Sequence, residues 1–116
     1  MEIKIVKSSI NRKELTEIAK GQFGDLVKAV VDVGQGIMAV AGEMHADEEA
    51  ILMEQESSKR EHTWGINLYP GKSGKELIEF DSIINIKPSS GNRSRDVENP
   101  QTREQIKIIV NKLIVE

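Results

Sequence analysis

The chain has 116 residues and a mass of 12.9 kDa, the size of one domain spanning 1–116, so a second independent core is excluded. Sixteen basic against 19 acidic residues give a net charge of −3, which argues against a general coat for DNA or RNA. The absence of cysteine excludes a disulfide scaffold, a thiolate metal site and cysteine catalysis, and makes a cytoplasmic setting the expectation; aromatic residues at 3% require an aliphatic core.

The N-terminal segment alternates Ile3 and Ile5 with Lys4 and Lys7, which predicts a strand over 2–7 and lacks the continuous apolar stretch of a targeting peptide. No apolar run approaches the roughly 20 residues of a membrane span, so no membrane association is expected. A helix follows. Asn11 is its cap, Glu14 the capping-box partner, Ile10 and Leu15 the staple, and Leu15, Ile18, Ala19 and Phe23 its apolar face, with Gly21 and Gly24 at its end. Residues 26–33 and 37–42 are β-branched runs around Gly34-Gln35-Gly36 and predict a hairpin. A helix over 25–33 also fits the spacing, but its valines are stiff at χ1 and suit a pleated surface better.

Residues 46–57 predict a second helix, with Asp47, Glu48 and Glu49 crowded into the first turn, where carboxylates are favoured. Thr63–Tyr69 alternates, placing Trp64, Ile66 and Leu68 on one face and Asn67 and Tyr69 on the other. Glu76–Lys87 is read as its hairpin partner, with Ile78, Phe80, Ile84 and Ile86 on one face and Glu79, Asp81 and Asn85 on the other. Asn99-Pro100 starts a third helix, striped by Ile106, Ile109, Val110, Leu113 and Ile114. The expected fold is α+β: a mostly antiparallel sheet with three helices, in the order β-α-β-β-α-β-β-α.

Three constellations carry chemistry. His45, Asp47, Glu48 and Glu49 are ligand types for a divalent metal or an acid–base pair, although Glu stands where a His-Glu-x-x-His zinc motif needs its second His. The plain reading is an acidic first turn. The segment from Lys87 to Arg95 gathers Asn92, Arg93, Ser94 and Arg95, donors suited to a phosphate or carboxylate, with Gly91 allowing close backbone approach. It lacks P-loop spacing, and the plain reading is a solvated loop whose arginines pair with the acidic helix. Asn67 and Tyr69, with Glu79, Asp81 and Asn85 of the following run, form the third set, of which Asn67 and Asn85 are the candidate ligand groups, lining a pocket or simply the wet side of a sheet. Trp64 and Met38, Met44 and Met53 read as packing. With no Gly-x-Ser-x-Gly elbow, Ser89, Ser90 and Ser94 are nucleophiles only by elimination.

The blocks His45-Ala46-Asp47-Glu48-Glu49, Trp64-Gly65-Ile66-Asn67-Leu68-Tyr69-Pro70 and Ile84-Asn85-Ile86-Lys87-Pro88 with Gly91-Asn92-Arg93-Ser94 resemble a family of small prokaryotic proteins of unknown function. The resemblance spans most of the chain and implies a cytoplasmic single-domain protein without assigning an activity. The leading expectation is a small binding or regulatory module. Its anion-binding loop, Asn92-Arg93-Ser94-Arg95, faces a small phosphate compound or an RNA segment. One alternative is a metal-assisted hydrolase, with the cluster at His45, Asp47, Glu48 and Glu49 holding the only cofactor suggested, a divalent metal. The other is a structural or partner-binding homodimer joined through a sheet edge.

Overall fold

A computed structural model describes residues 2–116. In chain order its elements are β1 (Lys4–Val6), β2 (Ile10–Asn11), α1 (Arg12–Gly21), β3 (Val27–Asp32), β4 (Ile37–Val40), α2 (His45–Glu56), β5 (Thr63–Leu68), β6 (Ile78–Glu79), α3 (Pro100–Leu113) and β7 (Ile114–Val115). Short 3-10 turns occupy Arg60–His62, Gly74–Glu76, Ile83–Asn85 and Pro88–Ser90. The valine-rich β3 lies at the centre of a five-stranded sheet, order β1-β4-β3-β5-β6, in which every neighbouring pair is antiparallel. The α+β class and the expected succession of elements are therefore as read. The additions are β2 and β7, which pair in parallel and tie the start of α1 to the end of α3. No helix is long and apolar enough to cross a membrane among the described residues.

The period-two pattern of the central strands sorts their side chains into two layers. Val27, Ala29 and Val31 of β3, Met38 and Val40 of β4, and Trp64, Ile66 and Leu68 of β5 pack with Leu15, Ile18 and Ala19 of α1 and Ile106, Val110 and Leu113 of α3. On the opposite face Val30, Ile37 and Ala39 pack with Leu52 of α2 and Ile84. The sheet is thus covered on both sides. The polar face of β5, open to a reading as a wet surface, is buried: Thr63 is fully buried and Asn67 nearly so.

Three local expectations change. Asn11 caps α1, accepting from the Glu14 N–H at 2.7 Å, but the Glu14 carboxylate meets Lys4 Nζ at 2.6 Å instead of closing the capping box. Phe23 lies beyond the end of α1, is 43% exposed and is covered by Lys28, whose Nζ sits 5.3 Å from the ring centre. The third change bears on the site. The run 76–87 forms only the two-residue β6, and leaves the sheet after Glu79.

Where β6 stops, the side chain of Asn85 takes over. Gly65 N–H donates to Asn85 Oδ1 at 2.8 Å, and Asn85 Nδ2 donates to Gly65 O at 2.9 Å. The carboxamide thus makes the paired donor and acceptor contacts that a strand backbone would make. Gly65 is needed here, because a Cβ would lie 2.5 Å from Ser82 Cβ. The side-chain alternation expected of a strand is lost: Ile84 is buried, while Ile83 is 67% exposed.

Asn85→Ala strands the buried Gly65 N–H and C=O together. We expect a loss of about 2–4 kcal/mol in urea denaturation, against about 0.5 kcal/mol or less for the exposed helical Asn111→Ala.

Candidate functional site

The segment after Asn85 is shaped by backbone pairing and by one buried side chain. Lys87 and Asn92 exchange backbone hydrogen bonds at 2.8 and 3.1 Å around a tight turn, with Gly91 at φ 82°. Space around Gly91 is open, so its role is the left-handed turn and not close approach. Asn92 is buried. Its Nδ2 donates to the carbonyls of Asn85, Ser94 and Asp96 at 2.7–3.1 Å, and its Oδ1 accepts from Glu98 N–H at 2.8 Å. Asn92 is therefore the clasp of the loop. Ser94 Oγ and the Arg93 N–H both donate to Glu98 Oε2, holding that carboxyl below its ordinary pKa. The Arg93 side chain is exposed.

Lys87 is buried under the same segment. Its Nζ donates to Arg60 O at 2.5 Å and to Thr63 O, and lies 4.0 Å from the centre of the Trp64 ring. Burial lowers its pKa to about 8, against the opposing pull of Glu49. Trp64 is thus a core anchor that also carries a cation.

Arg95 is the loop residue that reaches α2. Its Nε donates to Asp81 Oδ1 at 2.6 Å, and it lines a pocket of about 180 Å³ with Lys28, His45, Ala46 and Ser82. Met44 and Ile83, both largely exposed, complete the rim. Met44 is the N-cap of α2 and supplies no side-chain acceptor, so the first turn of a 12-residue helix begins at this pocket without a cap. His45 is 7% exposed, and its Nε2 lies 2.7 Å from Ile66 O. A carbonyl only accepts, so Nε2 carries the hydrogen. Burial lowers the pKa of His45; the Ile66 carbonyl opposes this and Lys28 adds to it.

The acidic cluster of α2 diverges. Asp47 is exposed. Glu49 takes Arg60 Nη1 on both oxygens at 3.0 Å and Thr63 Oγ1 at 2.6 Å. Glu48 is fully buried, accepts from Gly42 N–H at 2.9 Å through Oε2, and has no partner for Oε1 among the described residues. Burial raises its pKa well above 4.5, the Gly42 N–H opposing, which favours the neutral carboxyl. The structure therefore does not bring His45, Asp47, Glu48 and Glu49 together, and among the described residues no three His, Asp or Glu side chains are grouped to hold a metal ion. Asn67 and Asn85 are engaged by different partners: Asn67 Nδ2 donates to Glu79 at 2.8 Å, while Asn85 is spent on the sheet edge.

The arginine loop pairs through Arg95 with Asp81, not with the acidic helix, whose cationic partners are Arg60, on Glu49, and Lys7, on Glu56 at 2.9 Å. Sequence reading passed over Lys28 and Ser82. Period two on β3 puts Lys28 on the α2 face with Val30, which was available as a signal; the placement of Ser82 depends on the break after β6, which was not.

Glu48 titrates against folding. Its folded pKa lies above the unfolded value, so stability falls as pH rises past about 4.5. Glu48→Gln removes this term. The stability of the variant relative to the parent is expected to increase as pH rises above about 4.5 in denaturant titrations. His45, shifted the other way, is common to both proteins and cancels.

Residues 4–113 match the family model described as "Protein of unknown function (DUF5674)". No curated protein and no solved structure matches the chain. The match runs from β1 to the end of α3, through every element that builds the pocket, and the chain belongs to this family of unknown function, DUF5674.

Proposed function

We propose that this is a small binding or regulatory module that holds a single anionic group between Arg95, Lys28 and the start of α2. The observation that carries the reading is this convergence: two cations and an uncapped helix N-terminus, from three separated stretches of chain, line one pocket. Arg95 uses Nε on Asp81, which fixes the guanidinium and leaves its two terminal nitrogens for a ligand. Ser82 adds a hydroxyl, and neutral His45 offers Nδ1 as an acceptor for a protonated phosphate oxygen. At about 180 Å³ the pocket suits one phosphate or carboxylate, not a base. An RNA segment would engage it through one phosphate only. A cytoplasmic, prokaryotic setting is part of the proposal; the cysteine-free composition supports the compartment.

Titration with inorganic phosphate at low salt is expected to move the amide resonances of His45 and Ala46. Arg95→Ala and Lys28→Ala should each weaken binding about tenfold. Unmoved resonances, or shifts equal in both variants and the parent, would sink the reading.

A further inference from the structure

A second cationic groove lies away from that pocket, between the 72–76 turn, β6 and α3. We infer that it binds a nucleoside monophosphate, with the phosphate at Lys75, Arg103 and Lys107 and the nucleoside toward Tyr69, Phe80 and Glu79. Two adjoining hollows of about 450 and 500 Å³ share Lys75, Ile78, Phe80 and Arg103. Each is within the range of small-molecule sites.

The two halves differ in chemistry. The first is lined by Lys75, Arg103 and Lys107 with no carboxylate. Lys75 and Lys107 form no ion pair among the described residues, and Arg103 and Lys107 stand one turn apart on the same side of α3. Arg103 Nη2 pairs with Asp96 at 3.2 Å, so Lys75 and Lys107 are the two cations of this half without a counter-charge among the described residues. Arg103 Nε is also out of contact with solvent and without an acceptor. The second half carries flat groups and acceptors. The Arg103 guanidinium lies 4.4 Å from the centre of the Phe80 ring, and Lys72 lies 4.9 Å from that of Tyr69. Bases stack on such aromatic and guanidinium surfaces. Glu79 accepts from Asn67 and Tyr69 through Oε1 alone, which leaves Oε2 for a ribose hydroxyl or an exocyclic amine. A phosphate is favoured at one end and a sugar and base at the other, which is the polarity of a nucleotide.

The test is an amide and side-chain NMR titration with AMP, ribose 5-phosphate and inorganic phosphate. AMP should shift residues of the 74–80 and 103–111 segments and bind about tenfold more tightly than ribose 5-phosphate. Lys75→Glu with Lys107→Glu should abolish both. Phe80→Leu, checked for folding by circular dichroism, should bring AMP down to the ribose 5-phosphate level. In the parent protein, contacts between Phe80 ring protons and the adenine should appear in nuclear Overhauser spectra. Equal affinity for AMP and ribose 5-phosphate, or AMP shifts confined to residues 28, 44–46 and 95, would overturn the assignment.

Discussion

The pairing of Asn85 with Gly65 is the constraint on which the site rests. β5 has an open edge over Thr63–Ile66 because β6 is only two residues long. An unpaired edge leaves backbone donors and acceptors to be satisfied by something else. A carboxamide can satisfy both at one residue, and in doing so it pins its own chain to the sheet. Asn85 Nδ2 also donates to Arg95 O at 3.0 Å, and the Ser82 N–H donates to the same carbonyl at 3.0 Å. Arg95 is thereby fixed against the sheet edge, ten residues downstream of Asn85. Asn92 performs the same operation one level out, binding the loop's carbonyls to each other. The two asparagines thus position the arginine backbone at the pocket.

A consequence is that the two faces of the sheet are built from different materials. The face under α1 and α3 is aliphatic, while Asp32, His45, Glu48, Glu49, Thr63, Asn67 and Asn85 are all buried on the side of α2 or along the sheet edge next to it. Buried polar groups are tolerable only when they are partnered or neutral. Asp32 meets this by accepting from Gly34 and Gln35 backbone N–H groups and from Ser58, and Glu49 by its contacts with Arg60 and Thr63. Glu48 meets it by keeping its proton. The acidic first turn of α2 therefore holds one solvated charge, one paired charge and one neutral carboxyl, so the formal charge of the segment overstates the negative field at the pocket.

The parts of this arrangement legible in the sequence are those set by local period and capping. Val27–Asp32 is rich in β-branched valines and is a strand; Asn11 and Asn99 precede their helices and cap them. The break after β6 was not legible, since Ile78, Phe80, Ile84 and Ile86 continue a period of two that the backbone abandons. What overrides the pattern is tertiary: Gly65 opens room for Ser82, and Asn85 offers a better partner to the β5 edge than a further strand. The block from Lys87 to Arg95 was legible as a cluster of donors, but composition does not say which donors face outward. Asn92 and Lys87 face inward, and Arg95 faces the pocket. Proximity along α2 misled in the same way, because His45, Glu48 and Glu49 share a helix but each meets a partner on a different strand or turn.

Net charge and local charge then act on different ligands. A chain at −3 repels a polyanion at long range, but fields from exposed charges decay over about 8 Å at physiological ionic strength. Within that distance an anion at the α2 pocket meets Lys28 and Arg95, and one in the α3 groove meets Lys75, Arg103 and Lys107. Each cluster is also bordered by carboxylates at close range: Asp81, 2.6 Å from Arg95, at the first, and Asp96, 3.2 Å from Arg103, with Glu76 and Glu79 at the second. An extended nucleic acid would have to lay successive phosphates across those acids, whereas a ligand with one phosphate or carboxylate stays inside the cationic patch. The proposed preference for compact anions over polymers therefore rests on the alternation of small cationic patches with acidic borders.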